Sequence, residues 1–497
     1  MRGDLLLLAI VASSLLPGLI IFSLPEPMIR LRTTLNLAGA LLKVILVVLL
    51  FLHLLAGRTA EFRLTLLPEM DLLLRADALS LLFLSLSAVL WLVTTIYAIG
   101  YLEGAPHRSR FFGFFSLCVC ATTGVALAGD LVTFVLFYEL LTLSTYPLVV
   151  HRGTPVALRA GRIYLAYTLS GGVVLFAATV WLRAIAGPLD FIPGGILSIL
   201  PPTLHPTLTL IFLLLMLSLG VKAALVPLHS WLPTAMVAPA PVSALLHAVA
   251  VVKAGAFGIV RVVQDIYGTG LCTVLGVLSP LALVAALTVI YGSVRALNQD
   301  DLKRRLAFST VSQVSYIVLG IALAQPLALI GGLVHLVHQG LMKITLFFCA
   351  GNLAETLEIH KITAMDGVGR RLPATMTAFT IAALGMIGLP PLVGFVSKWY
   401  LGLGGLAGGQ SWVILLLLSS SLLNACYFLP VIHRAWFRPA AAPWPTSPFA
   451  SGRETTWALL MPPLVTATLV VLLGVLAESS GSPLHWVKWI LSREYGL

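Results

Sequence analysis

Residues 206–233 read PTLTLIFLLLMLSLGVKAALVPLHSWLP. Apolar and small residues run without a charge up to Lys222, continue through Ala223-Ala224-Leu225-Val226, and then meet Pro227 and Pro233. A stretch of about 20 apolar residues is long enough to cross a bilayer as a helix. Proline removes a backbone donor and clashes with the carbonyl one turn earlier, so Pro227 ends or breaks that helix at membrane depth. Backbone freed in this way is tolerated only where it is buried in protein or lines a cavity. Lys222 sits one turn before the break, with apolar residues on its N-terminal side for many positions, which argues against a side chain that snorkels to the surface. A broken spanning helix with an ionisable group beside the break is the plan of a transporter.

The rest of the chain repeats this theme. Of its eight lysines, Lys43, Lys222, Lys253, Lys343 and Lys398 lie inside long apolar stretches, whereas the arginines cluster at the ends of those stretches. Both are cations, and the difference is titratability: a buried lysine can release its proton and arginine effectively cannot. Over 497 residues the chain is 59% hydrophobic and 10% charged, with mean hydropathy +1.02. A soluble domain is about 25% charged, so this is an integral membrane protein. The formal charge of +11 fits positively charged loops on one side of the membrane. No dense basic run with interleaved aromatics suggests nucleic acid. Cys118, Cys120, Cys272, Cys349 and Cys426 fall in or beside apolar segments without CxxC spacing. They are expected as core residues, and the sequence marks no metal or cofactor site.

About fourteen spans are expected: 5–24, 33–56, 76–102, 111–129, 131–150, 160–185, 206–227, 239–264, 270–294, 304–324, 326–352, 373–407, 411–436 and 457–477. The first is read as a spanning helix and not a cleaved signal, because no small-residue cleavage site closes it. The linker 57–75 (Arg58, Glu61, Arg63, Glu69, Asp71, Arg75) and the Pro-rich stretch 438–453 read as surface loops. The tail 483–495, with Trp486 and Trp489, reads as interfacial. No extramembrane segment is long enough for a soluble domain. Loops after odd-numbered spans carry most of the basic residues, among them Arg30, Arg108, Arg152, Arg304 and Arg434. That places both termini away from the cytoplasm, in the cytoplasmic membrane of a cell.

A second interruption, Gly388-Leu389-Pro390-Pro391-Leu392-Val393-Gly394, breaks the twelfth span. The two breaks are five helices apart, an odd number. Residues 111–264 and 270–436 therefore read as five-helix units of opposite orientation, preceded by a three-helix region (1–110) and followed by a last helix and short tail (437–497). The fold class is an all-α polytopic membrane protein with broken helices seven and twelve.

Glu139, in Phe137-Tyr138-Glu139-Leu140, is the clearest buried acid. It either makes a structural ion pair with an arginine at a helix end or pairs with a buried lysine, the two titrating together. His247 and Lys253 are six residues apart and extend a relay by about 9 Å along the eighth span. His335, Gln339 and Lys343, at i, i+4 and i+8, form one polar stripe on the eleventh, flanked by His338. A metal site is the rival reading for these histidines, but no carboxylate or thiolate cluster accompanies them. Lys398 follows the second break and could snorkel past Trp399. Lys43 and His53 read as structural. Together the buried groups suggest a water-linked row of lysines and histidines across the bilayer centre, each charge shifting the next at low dielectric.

The runs Phe137-Tyr138-Glu139-Leu140-Leu141-Thr142-Leu143-Ser144-Thr145-Tyr146-Pro147-Leu148, Lys222 to Pro233, Pro241-Val242-Ser243-Ala244-Leu245-Leu246-His247, Phe308-Ser309-Thr310-Val311-Ser312-Gln313 and Gly394 to Lys398 resemble the antiporter-like membrane subunits. That family comprises proton-pumping subunits of complex I, subunits A and D of Mrp-type sodium/proton antiporters, and membrane subunits of energy-converting hydrogenases. The resemblance spans about residues 70–436. It implies fourteen helices with inverted repeats, a Glu139–Lys222 pair, Lys253 with His247 as central relay, and Lys398 as exit-side group. Lys398 departs from members with glutamate there, which favours an Mrp-D-like or hydrogenase-like subunit, although some complex I subunits also use lysine. A long lateral helix or an extra C-terminal domain is not expected.

The expected function is proton translocation within a larger membrane complex, through Glu139, Lys222, His247, Lys253, His335, His338, Lys343 and Lys398. The chain itself is expected to hold no cofactor and do no redox chemistry. Its expected partners are other membrane subunits, the lipid bilayer, H+ and, as an open alternative, Na+. A complex I-type pump, a self-sufficient cation/proton exchanger and a non-pumping scaffold are the competing readings.

Overall fold

A computed structural model describes residues 2–68, 70–440, 444 and 454–496. Glu69 and most of the expected 438–453 loop lie outside the described residues. Among the described residues, thirteen helices are long and apolar enough to cross a membrane. They are α1 (Gly3–Phe22), α2 (Ile29–Leu55), α3 (Ala78–Tyr101), α4 (Arg108–Leu127), α5 (Leu131–Val149), α6 (Pro155–Ala186), α7 (His205–Lys222), α8 (Ala240–Tyr267), α9 (Leu278–Leu297), α10 (Leu302–Ala322), α11 (Pro326–Leu357), α14 (Trp412–Phe437) and α15 (Trp457–Val475). Between α11 and α14 lie two shorter helices, α12 (Pro373–Ile387) and α13 (Val393–Ala407). The tail forms α16 (Pro483–Glu494), whose Trp486 stacks on Phe51 of α2 with ring centroids 4.6 Å apart. The chain is thus a multi-pass membrane protein.

Burial orders the helices. In their most apolar stretches α8 and α10 are wholly buried and α11 almost so, whereas α1, α2, α6, α14 and α15 bury well under half. The outer helices therefore keep a broad apolar face for lipid, and α8, α10 and α11 form the axis. On that axis lie His247, Lys253, Gln313, His335, His338, Gln339 and Lys343, each at most 0% exposed. Helix α11 packs against α10 on one side and α13 on another, and α8 packs against α7 and α11.

Three features depart from simple helices. Helix α7 ends at Lys222, earlier than the apolar run does, and the chain re-enters only a one-turn helix at Trp231–Thr234. Helix α12 ends at Ile387, where Gly388 adopts φ +95°, a conformation that residues with a Cβ rarely take. Helix α8 contains two π-helical stretches, Leu245–Val249 and Val262–Tyr267.

The linker 57–75, expected as a loop, is instead an antiparallel hairpin, β1 (Ala60–Leu67) and β2 (Met70–Ala76). Its charges explain the pairing: Glu61 faces Arg75 across the strands at 2.9 Å, and Arg63 reaches Asp71 at 3.0 Å. The hairpin is anchored on α5, where the Leu73 amide donates to the Thr133 hydroxyl at 2.8 Å.

Candidate functional site

The site begins where α7 stops. Lys222 is its last residue, 1% exposed, and its ammonium donates to the backbone carbonyl of Tyr138 on α5. The same ammonium lies 3.3 Å from the centroid of the Tyr138 ring. Glu139 is the next residue and the electrostatic neighbour of Lys222. Its carboxylate lies over Gly172 of α6, where any Cβ would collide with it, and its Oε1 has no hydrogen-bond partner. No arginine is paired with Glu139 among the described ion pairs, so of the two readings the helix-end salt bridge is not what this acid makes.

Lys253, on the adjacent α8, donates at 2.7 Å to the carbonyl of Leu336 on α11. One residue earlier on α11, His335 shares a 2.8 Å hydrogen bond with the hydroxyl of Ser397 on α13. Lys398 follows directly. It does not snorkel past Trp399 as the sequence suggested, but turns inward. There it donates to the carbonyls of Ile387 (2.7 Å) and Met386 (3.2 Å), which the end of α12 leaves free, and to the Ser421 hydroxyl (2.8 Å). Gly388 makes room for this: a Cβ there would lie 2.8 Å from the Lys398 stem. A cation at the last carbonyls of a helix is also favoured by the helix dipole.

The other end of the α11 stripe points elsewhere. Lys343 donates to the Leu306 carbonyl at 3.0 Å and to the Ser309 hydroxyl, both on α10. His247 sits within the first π-helical stretch of α8 against Phe347, 4.6 Å between ring centroids. Both ring nitrogens of His247 and His338, and both amide atoms of Gln313 and Gln339, are buried without a protein partner. Buried polar atoms of this kind are ordinarily satisfied by ordered water. The arrangement therefore pairs fixed lysines, each held by carbonyls or hydroxyls, with free donors and acceptors between them. Such a set can pass protons over short steps. No group of three or more His, Cys, Asp or Glu residues placed to hold a metal ion occurs among the described residues.

Residues 128–424 match the family model described as NADH:quinone oxidoreductase/Mrp antiporter, TM. The chain belongs to this family. Residues 69–112 also match NADH-Ubiquinone oxidoreductase (complex I), chain 5 N-terminus. Among antiporter-family relatives, NADH-quinone oxidoreductase subunit N of Desulforudis audaxviator (strain MP104C) is 36% identical over 83% of this chain and 83% of its own. Hydrogenase-4 component B of Escherichia coli (strain K12) is 33% identical over 66% of this chain and 50% of its own. A chain of the Mrp complex from Dietzia sp. DQ12-45-1b has the same fold: TM-score 0.86 and 22% identity, covering 99% of this chain and 97% of that one.

Of the eight residues singled out from the sequence, seven are buried and Glu139 is only partly so. The structure joins them in two groups. Lys253, His335 and Lys398 bridge α8, α11 and α13, while Lys222 of α7 reaches α5 at Tyr138, the residue beside Glu139. Lys343 faces α10. Sequence reading missed the hydroxyl partners Ser309, Ser397 and Ser421, which lie far along the chain from the lysines or histidine they serve. It also missed a fully buried acid, Asp265, held by Arg261 at 2.7 Å, an arginine it shares with Asp77, and by the Tyr495 hydroxyl at 3.0 Å. An i,i+4 Arg–Asp pair at the end of a span was the available signal.

Proposed function

We propose that this chain translocates protons as an antiporter-like subunit of a multisubunit membrane complex, using Glu139, Lys222, His247, Lys253, His335, His338, Lys343 and Lys398. The observation that carries this reading is the row of buried titratable groups along α7, α8, α11 and α13. Its lysines donate to backbone carbonyls of neighbouring helices, those under Lys398 freed by the end of α12, and its histidines keep unpartnered nitrogens between them. A proton arriving at Glu139 or Lys222 changes the charge beside Tyr138, and the low-dielectric interior transmits that change along the row. The two breaks, after Lys222 and before Lys398, fit two inverted five-helix units, 111–264 and 270–436. In this reading the chain sits in the cytoplasmic membrane with both termini outside.

Two settings are supported by different relatives. The fold of the Mrp complex chain, the hydrogenase relative and Lys398 on α13 favour an Mrp-D-like or hydrogenase-like subunit. The 36% identity to a quinone oxidoreductase subunit favours a complex I-type pump. Affinity purification of the tagged chain with its partners, followed by mass spectrometry, separates them. Driven proton uptake in inverted vesicles tests the function: Lys222→Ala or Glu139→Ala complexes that assemble and still pump at native rates overturn it. Proton–sodium exchange by the purified chain alone would favour a self-sufficient exchanger.

A further inference from the structure

Lys43 lies outside both five-helix units, and its surroundings do not fit the structural role its sequence context suggests. It is wholly buried among α1, α2, α3 and α4. Its ammonium donates to the hydroxyls of Ser14 (2.8 Å) and Thr123 (2.6 Å) and lies 5.2 Å from the Trp91 ring centroid. Each hydroxyl donates its own proton to a backbone carbonyl, Ser14 to Val11 and Thr123 to Val119, so each is left as an acceptor toward the lysine. Two acceptors match the two N–H bonds of a neutral amine. The third N–H of an ammonium meets no oxygen there, only the face of Trp91. The pocket thus satisfies both forms, with the added charge resting on an aromatic ring and not on a carboxylate. The Cys120 thiol, beside the same Ser14 hydroxyl, is the one titratable group acting on Lys43 among the described residues.

Polar groups on the same face of α2 lie toward one rim, with Gly39 and Ala40 between them and Lys43. On the buried face of α2, Arg32 and Asn36 precede Lys43, and the Asn36 amide donates to the Arg32 carbonyl at 3.0 Å. Arg32 is itself buried, donates to Ser109 at 2.8 Å, and lies 3.8 Å from the half-exposed Glu26. From Arg32 to Lys43 is about 16 Å along the helix. Around the lysine, α3 carries Ser87, Trp91 and Thr95 at i, i+4 and i+8, and α4 carries Ser116, Cys120 and Thr123 on one face. The Ser87, Thr95 and Ser116 hydroxyls and the Trp91 indole N–H are all buried without a hydrogen-bond partner. Four unsatisfied polar atoms in one helical bundle mark a site for water.

We propose that Lys43 is a second proton-binding site, reached from the Glu26–Arg32–Ser109 rim along one face of α2. The transfer is a simple acid–base step: the ammonium gives a proton to a water held by the surrounding hydroxyls and is left a neutral amine, and it regains a proton by the reverse route. This inference rests on the proton-transport reading above.

The test uses the assembled complex in inverted vesicles, with Lys43→Met, Lys43→Arg, Thr123→Val and, as reference, Lys222→Met. A site that must both bind and release its proton fails with methionine and equally with arginine, which holds its proton permanently. Transport should therefore fall about tenfold in both, a barrier change of about 1.4 kcal/mol, with normal subunit recovery on native gels. Thr123→Val, which keeps the lysine, should slow transport and shift its pH profile. If Lys43→Arg pumps at the native rate, the residue is a fixed structural cation and the proposal fails. Native rates in all Lys43 and Thr123 variants, beside an inactive Lys222→Met, also overturn it while leaving the proton-transport reading intact. A fully active Lys222→Met would overturn that reading instead. Should Lys43→Met not assemble, the arginine and Thr123 variants decide.

Discussion

Lys222 is joined to Tyr138 twice, by a hydrogen bond to its backbone carbonyl and by the approach of the ammonium to its ring, 3.3 Å from the centroid. The lysine at the end of α7 thus reads the residue next to Glu139 and does not need to touch the carboxylate itself. Replacing Lys222 by methionine removes one hydrogen bond to the Tyr138 carbonyl, which keeps the Thr142 hydroxyl at 3.4 Å, a cost of about 1 kcal/mol. The expected outcome is a lower thermal midpoint of the purified complex, with driven proton transport reduced by at least about tenfold. A native melting curve with native transport would contradict it.

Gly172 provides a test of Glu139 that alters no charge. An alanine methyl there would occupy the space of the carboxylate, so Gly172→Ala should displace Glu139 and slow transport several-fold. Combining it with Glu139→Gln should add little, because both changes act on one group, and a double-mutant cycle measures that coupling.

Ser397 positions His335 through their 2.8 Å hydrogen bond. Ser397→Ala should cost about 1 kcal/mol of stability and reduce transport, while Ser397→Thr, which keeps the hydroxyl, should restore part of it. Equal transport by the alanine and threonine variants would show that the hydroxyl does not orient the imidazole.

Arg261 is held between Asp77 and Asp265, 2.7 Å from each. Arg261→Met leaves two carboxylates without their cation and should destabilise the protein by about 3–5 kcal/mol, the usual cost of breaking a buried pair from one side. Tyr495→Phe removes one hydrogen bond to Asp265 and should cost only about 1 kcal/mol. Because Tyr495 follows α16 directly, both changes should speed protease cleavage of the C-terminal helix, the arginine variant much more.

Much of this architecture was legible in the chain. Proline at 227 and at 390–391 announces the ends of α7 and α12, because backbone chemistry alone forbids a regular helix there. Lys222 and Lys253 stand out because no polar neighbour explains them. The hairpin at 60–76 was hidden because its alternating charges also suit a solvated loop, and only the cross-strand register of Glu61 with Arg75 distinguishes the two. The inward turn of Lys398 was illegible because snorkelling and helix-end capping start from the same sequence, and the free carbonyls of Met386 and Ile387 decide between them. Ser309 and Ser397 look like ordinary small residues until the fold brings them beside Lys343 and His335.

The π-helical stretch around His247 has a consequence for heredity. An i→i+5 turn holds one more residue than an α-helical turn of the same rise. Loss of a codon in this stretch other than that of His247 would therefore be absorbed as an ordinary helix, with folding largely spared and the imidazole turned relative to the rest of α8. Mutational scanning by single-codon deletion should find this segment unusual: the protein would still be made and inserted, yet function would be lost, whereas deletions in the regular turns of α10 should abolish both.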